Sequence, residues 1–335
     1  MATQGTNVLT IADWAKRLDP NDKVARIVEL LSQSNPILDD MLFMEGNLPT
    51  GHRTTVRTGL PTVAWRLLNQ GVQPSKSTTA QVDEACGMLE AWSEVDKDLA
   101  MLNGNEAAFR LSEAGAFIEA MNQEMASTLF YGNSSVDPEE FTGLSIRYSS
   151  TTAANGQNVV LGGSASGQTD NSSIWLILWG ANTVHGIFPK GSKVGLDHKD
   201  LGEGVIETTA GIAGSRMLGY RDRFQWKCGV ALRDWRYAVR IPNIDISLLV
   251  SETGAADVSK LMIKAMHRIP NLQFGKAAFY MNRSIIQMLD IQRRDGVIAG
   301  GGIDYATIDG KMVPTFRGIP IRTTDALLEN ESRVT

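Results

Sequence analysis

The chain has 335 residues, of which 43% are hydrophobic and 21% charged, with a formal net charge of −5 and an isoelectric point near 5.5. This length suffices for one large or two ordinary domains with a sizeable core, and the acidic balance argues against a domain that binds nucleic acid through a dense basic surface. The chain has no apolar run long enough to span a membrane, and its first residues lack the features of a signal peptide. We therefore expect a cytoplasmic protein.

Residues 1–49 are predicted to form an arm. A short helix is expected around residues 11–18, and a second one follows Asn21 and Asp22, with the apolar residues Val24, Ile27, Val28 and Leu31 on one side. Helices this short are not stable alone, so the arm must lie along something larger.

Residues 50–99 indicate a long two-stranded ribbon. Strands over residues 52–58 and 62–66 lead out, residues 69–79 form a polar tip, and residues 81–95 return. An isolated hairpin is marginally stable in water, and its open edges invite pairing with another chain. The ribbon therefore predicts a subunit whose stability is completed by its neighbours.

A long helix is predicted from Asn105, a plausible N-cap, to Gly132, a plausible left-handed cap. At 1.5 Å per residue it would run for roughly 40 Å. Its buried face is predicted from apolar residues at helical spacing: Ala107, Leu111, Ala114, Ile118, Met121 and Met125.

The second half of the chain mixes strands and helices. A loop over residues 153–173 precedes a buried strand over 174–179, and the alternation of apolar residues predicts strands over 224–232 and 235–241. Helices are expected over 258–269 and after Asn282, followed by a hairpin at 303–316 and a closing segment at 318–323. The fold class is therefore α+β.

The sequence predicts no catalytic, cofactor-binding or metal site. The four histidines lack metal-ligand spacing, and Cys86 and Cys228 are interpreted as small buried groups in a reducing compartment. Glu90 and Glu94, on the returning strand, could form a paired-carboxylate site in principle. Solvated charge, or contact with basic residues of a neighbour, is the favoured interpretation.

The order of these segments resembles the major capsid protein of tailed bacteriophages, which has the HK97-like fold. Residues 64–76 resemble the family's extended loop, residues 87–99 its returning strand and residues 105–131 its spine helix. Further resemblance lies in residues 141–144, 175–191, 207–243 and 318–327.

The resemblance implies a division into domains. These are an N-terminal arm (1–49), an extended β-hairpin loop (50–99), a peripheral domain (100–174) with the spine helix (105–131), an axial domain (175–295) and a return to the peripheral domain (296–335). The loop of one subunit would lie over the peripheral domain of the next.

The resemblance also implies function and partners. Copies would form pentamers and hexamers of an icosahedral head around double-stranded DNA, assembled in the host cytoplasm with a scaffolding protein, a portal and, as a candidate, a cement protein. DNA contact would be non-specific, with the arm's Lys16, Arg17, Lys23 and Arg26 as candidates for contact with scaffold or DNA. The residues expected between subunits are Trp65, Gln73, Pro74, Lys76, Glu90 and Glu94.

Three points stay open at this stage. Some family members join subunits by a Lys–Asn isopeptide bond, for which Lys76 is the only lysine at the tip but has no matched asparagine. A cellular protein nanocompartment shell would share the fold and enclose protein cargo. A soluble hydrolase, with Glu90 and Glu94 as its carboxylates, is an alternative from a different class.

Overall fold

The structure is a computed structural model, and it describes residues 32–102, 106–165, 168–208, 214–251, 256–295, 303–308 and 311–335. The chain divides into two compact units. Of the described residues, those within 32–35, 88–127 and 195–227 belong to the smaller unit, and those within 36–87, 128–194 and 228–335 belong to the larger unit. The two predicted arm helices lie outside the described residues.

The helices and strands are, in chain order, α1 (Ile37–Asp40), β1 (Phe43–Glu45), β2 (Gly51–Gly59), β3 (Thr78–Ala85), β4 (Gly87–Asp96), α2 (Lys97–Met101), α3 (Glu106–Tyr131), α4 (Leu144–Arg147), β5 (Asn171–Trp179), β6 (Val184–Phe188), β7 (Leu196–Thr208), β8 (Ser215–Leu232), β9 (Ala238–Asp245), α5 (Ile246–Ser251), α6 (Val258–Met266), β10 (Lys276–Met281), α7 (Arg283–Asp295), β11 (Ile303–Ile308), β12 (Lys311–Phe316) and β13 (Ile319–Thr323). This mixture confirms the predicted α+β class. Among the described residues, no helix is both long and apolar enough to cross a membrane.

Strand β5 is the centre of the larger unit. It is antiparallel to β9 on one edge and to β10 on the other, and all nine of its residues are buried, as its apolar sequence predicts. Strand β10 continues through parallel pairing with β13, which leads to the predicted hairpin of β12 and β11. The turn of that hairpin lies outside the described residues.

Helices α5, α6 and α7 bury their apolar faces in the core that β5, β9 and β10 form. Helix α6 illustrates how the sequence specifies this packing. Asp257 caps its N-terminus by accepting a hydrogen bond from the backbone N–H of Lys260 at 2.9 Å. The residues buried on its inner face are Val258, Leu261, Met262 and Ala265.

A buried ion pair fixes the last residues of the chain to this core. The carboxylate of Glu331 accepts hydrogen bonds from Arg240 at 2.8 Å, from Tyr131 at 2.5 Å and from Ser173. Arg240 also lies over the ring of Trp175, 5.4 Å from its centroid. Because both charged groups are almost fully buried, neither can be removed without leaving its partner uncompensated.

The smaller unit contains β4, most of α3 and the long hairpin of β7 and β8. The hairpin pairs from Leu196↔Trp226 to Thr208↔Ser215. Arg110 on α3 donates to Asp200 at 2.7 Å and to Asp222 at 3.0 Å. Its guanidinium lies over the ring of Tyr220.

One predicted strand is wrong, and another starts later than predicted. Residues 62–66 form no strand and are exposed, because Gly59 ends β2 and Pro61 has no backbone N–H to donate to a neighbour. Residues 235–237 form a 3-10 turn, in which Asp234 accepts from the backbone N–H of Arg236 at 3.0 Å, and strand β9 starts only at Ala238.

The predicted return strand is divided in two. Strand β3 pairs with β2, whereas β4 is hydrogen-bonded to β8. The division falls at Cys86, whose backbone N–H donates to the carbonyl of Thr50 at 3.0 Å. The return strand therefore changes partner, which alternation along the sequence does not reveal.

The spine helix is confirmed over Glu106–Tyr131, whereas its N-cap Asn105 lies outside the described residues. Its predicted buried face is only half right. Met121 and Met125 are buried, as is Phe109, but Leu111 is 74% and Ile118 is 45% exposed. The helix carries apolar residues on two sides, so periodicity alone does not identify the buried one.

Candidate assembly surfaces

The ribbon of β2 and β3 has a fixed register, from Gly51↔Ala85 to Gly59↔Thr78. Across it, the guanidinium of Arg53 donates to both carboxylate oxygens of Asp83 at 2.6 Å. The side chain of Asn47 bonds both the backbone N–H and the carbonyl of Arg53, at 2.7 and 2.8 Å. These contacts order the base of a ribbon that has no helix of its own.

A close backbone approach also defines the base. A Cβ atom on Gly51 would lie 1.9 Å from the carbonyl oxygen of Glu84. No side chain fits there, so glycine is required where β2 starts against β3.

Glu84 connects the ribbon to the rest of the larger unit. Its carboxylate, 7% exposed, accepts two parallel hydrogen bonds from Arg147 on α4, at 2.6 and 2.5 Å. Arg147 also donates to the carbonyl of Thr142 at 3.1 Å. Because bidentate pairing fixes direction as well as distance, this contact sets the angle at which β3 enters the core.

Two histidines lie beside this ion pair. His52, the cross-strand partner of Glu84, accepts a hydrogen bond from Arg233 at 3.1 Å if its Nε2 is unprotonated. The ring of His185 lies edge-on to it, with centroids 6.0 Å apart. Burial, and then the charge of Arg233, lower the pKa of both rings, that of His185 to about 4. Both histidines are therefore neutral at pH 7.

The ribbon tip, residues 60–77, is exposed throughout. Trp65 is fully exposed, and Gln73, Pro74 and Lys76 lie on the same loop. The tip has local order, since the hydroxyl of Ser75 donates to the carbonyl of Thr62 at 2.8 Å. Its exposed large apolar residues are Leu60, Val63, Trp65, Leu67, Leu68 and Val72.

The tip is also cationic. Residues 54–82 contain Arg57, Arg66 and Lys76 and no acidic residue. Soluble monomers rarely expose so many large apolar side chains on one loop, and the cations on the same segment favour an acidic partner.

A second exposed surface is the β4 outer face, which we define as Met88, Glu90, Trp92 and Glu94. Met88 is 59% and Trp92 is 46% exposed. Glu90 is exposed and accepts hydrogen bonds from Trp92 at 2.7 Å and from Gln225 at 2.6 Å, whereas Glu94 is half-buried. Residues 88–98 contain four carboxylates and one lysine, a net charge of −3.

The β4 outer face places the two predicted glutamates among apolar side chains that sequence reasoning missed. Met88, Glu90, Trp92 and Glu94 are spaced two residues apart, so they lie on the same side of a strand. This spacing was the signal in the sequence that could have identified Met88 and Trp92. Both glutamates are on the predicted contact surface, which is acidic and apolar. Among the described residues, no cluster of His, Cys, Asp and Glu could hold a metal ion.

Both cysteines are free thiols. Cys228 is fully buried and Cys86 is half-buried. Burial raises the pKa of Cys86 to about 11 and that of Cys228 to about 12.

Comparison with known proteins gives a family match over most of the chain. The family model described as "Major capsid protein GP7" matches residues 19–335. The chain is similar to a solved structure from bacteriophage Epsilon15, with 33% sequence identity and a TM-score of 0.80 over 100% of this chain and 99% of that chain. A search of curated protein sequences finds no match.

Two further solved structures are similar at lower scores. The capsid of a native GTA particle gives a TM-score of 0.43 and 10% identity, over 71% of this chain and 99% of that chain. The SrpI encapsulin of Synechococcus elongatus PCC 7942 gives a TM-score of 0.41 and 13% identity, over 71% of this chain and 97% of that chain.

Proposed function

The chain belongs to the GP7 family of major capsid proteins, and from this membership we propose that its copies form the pentamers and hexamers of an icosahedral head around double-stranded DNA. The resemblance stated from sequence is confirmed: the fold is α+β and HK97-like, and the protein is a structural component of a phage capsid shell. The proposal concerns how the copies join and which partners they meet.

We propose that the ribbon tip of one copy lies on the β4 outer face of the next. The observation that carries this proposal is the match between the two surfaces. The tip is apolar and carries Arg66 and Lys76, a net charge of +2, and residues 88–98 are acidic with exposed Met88 and Trp92. Burying an apolar side chain of this size stabilises an interface by roughly 1.5–3 kcal/mol.

Charge makes the contact directional. Arg66 and Lys76 on the tip face Glu90 and Glu94 of the neighbour, as proposed, so that a tip cannot pair favourably with another tip. A contact between two different surfaces is head-to-tail, and such contacts close into rings. Rings of five and six subunits build a closed shell.

Assembly takes place in the host cytoplasm, with a scaffolding protein and a portal as helpers and a cement protein as a candidate partner outside. The domain boundaries predicted from the resemblance, with residues 175–295 as the axial domain, stay a prediction. An isopeptide bond through Lys76 is not required by this proposal, because the tip and the β4 outer face match without it.

The test is deletion of residues 71–79, which removes Gln73, Pro74 and Lys76 and keeps the core contacts of Glu84 and His52. Size-exclusion chromatography and negative-stain microscopy should show rings or shells for the parent chain and dispersed subunits for the deletion. Circular dichroism checks that the deletion variant is folded. Closed particles from a folded deletion variant would contradict the proposal.

A further inference from the structure

A row of cations lies along the outer side of helix α6. Lys260, Lys264 and Arg268 recur at intervals of four residues, and all three are exposed. Residues four apart lie on the same side of a helix, and the helical turn extends to Arg268, whose backbone N–H donates to the carbonyl of Ala265 at 3.0 Å. We call these three residues the α6 basic row.

The α6 basic row forms no ion pair with any described residue. Elsewhere, some of the described basic side chains pair with a carboxylate and others, such as Lys190 and Lys193, do not; those that pair are Arg53, Lys97, Arg110, Arg147, Arg223, Arg236, Arg240, Arg283 and Arg322. In a chain whose net charge is −5, three unpaired cations on one helix side make a local positive surface.

Folding does not explain this row. Lys260 lies at the third helical position after the cap Asp257, where the helix dipole disfavours a cation and glutamate or glutamine is preferred. The opposite side of α6 supplies the buried contacts, from Val258 to Ala265. Among the described residues, the carboxylate at the helix start is that of Asp257, which is occupied by capping the backbone of Lys260.

We infer that the α6 basic row binds the phosphate backbone of double-stranded DNA without sequence preference. This inference rests on the proposed function, which places DNA inside the shell. Successive members of the row are about 6 Å apart along the helix axis. This spacing is close to about 7 Å, the distance along the DNA axis between a phosphate and the second phosphate after it on the same strand. Exposed Lys and Arg side chains suit such contact because it needs charge and reach rather than base recognition.

The test measures the affinity of the full-length chain for a random-sequence 30-base-pair DNA by fluorescence anisotropy at several salt concentrations. The variant K260Q/K264Q/R268Q should bind at least tenfold more weakly at 50 mM salt. Its slope of log affinity against log salt should be shallower by about 2 to 3, since each phosphate contact contributes about 0.9. The matched control K190Q/K193Q/K199Q removes three exposed lysines and should keep the parent slope.

Three outcomes would overturn the inference. The first is an unchanged salt slope of DNA affinity in the folded K260Q/K264Q/R268Q variant, and the second is an equal loss of DNA affinity in the K190Q/K193Q/K199Q control. The third is that the α6 variant loses binding to poly-glutamate but keeps its binding to DNA. The last would identify an acidic protein segment as the partner. Negative-stain microscopy of both variants separates this inference from the proposed function, because the α6 variant should still form particles.

Discussion

Arg147 donates to both carboxylate oxygens of Glu84, at 2.6 and 2.5 Å, at the point where strand β3 of the ribbon reaches the larger unit. Glu84 is the cross-strand partner of His52, so one ion pair fixes both strands of the ribbon at its base. The tip beyond it lacks a core of its own and depends on this base for its direction.

Substitution of Arg147 by methionine is expected to destabilise the folded chain by about 3 kcal/mol, because it leaves the carboxylate of Glu84 buried without a partner. Denaturant unfolding of the unassembled subunit measures this loss. Arg53→Met is the matched control: it breaks an ion pair of the same chemistry whose side chains are about half exposed, and its cost should be clearly smaller because water screens exposed charges. Equal losses in the two variants would show that the Glu84 contact is not the stronger one.

Acid should weaken the base of the ribbon. His185 is fully buried, and its pKa lies near 4 instead of its ordinary 6.5, so the folded chain takes up its proton less readily than the unfolded chain. The free energy of unfolding is therefore unaffected by this group above pH 6.5. It falls as the pH drops below 6.5, because the unfolded chain binds the proton first, and the loss is on the order of 3 kcal/mol at pH 4.

The measurement is the free energy of unfolding between pH 7 and 4 for the parent chain and for His185→Gln. The slope with pH should be smaller in the variant, whatever its absolute stability, since carboxylates titrate equally in both chains. If the free energy of unfolding changed with pH equally in the two proteins, His185 would not be the group responsible. The lowered pKa of His52 acts in the same direction.

The thiols should be unreactive in the native protein. With a pKa of about 11, fewer than roughly one Cys86 side chain in a thousand is a thiolate at pH 7.4, and Cys228 is fully buried. A thiol-specific chromogenic disulfide should therefore react slowly with the folded chain and titrate two thiols in denaturant. Rapid labelling of either cysteine without denaturant would contradict this expectation.

Local pattern predicted much of the fold. The apolar run of β5, the spine helix and the hairpin of β11 and β12 are encoded by neighbouring residues, and each forms where the sequence indicates. The change of partner at Cys86 and strands β6 and β7 escaped prediction because they depend on distant pairing. Gly202 and Gly204 interrupt the alternation of β7, which still forms because β8 pairs along its length.

Prediction of the contact surfaces was also partial. Trp65 and Lys76 stand out in the sequence of the ribbon tip, and Glu90 and Glu94 stand out on a strand. The β4 outer face is a contact surface because Met88 and Trp92 are exposed on it. Their exposure depends on which side of β4 faces the interior, and the sequence of the strand does not reveal that side. Likewise, the exposure of Leu111 and Ile118 on α3 could not be read from spacing, because both sides of that helix are apolar.

The most decisive measurement is a charge exchange between the ribbon tip and the β4 outer face, followed by size-exclusion chromatography and negative-stain microscopy. R66E/K76E should abolish assembly of a chain that remains folded, because carboxylates then face Glu90 and Glu94. Combining it with E90K/E94K in one chain restores opposite charges and should restore rings or shells, whereas the control K190E/K193E should assemble throughout. Normal particles from R66E/K76E, or a folded fourfold variant that stays dispersed, would contradict the proposed contact.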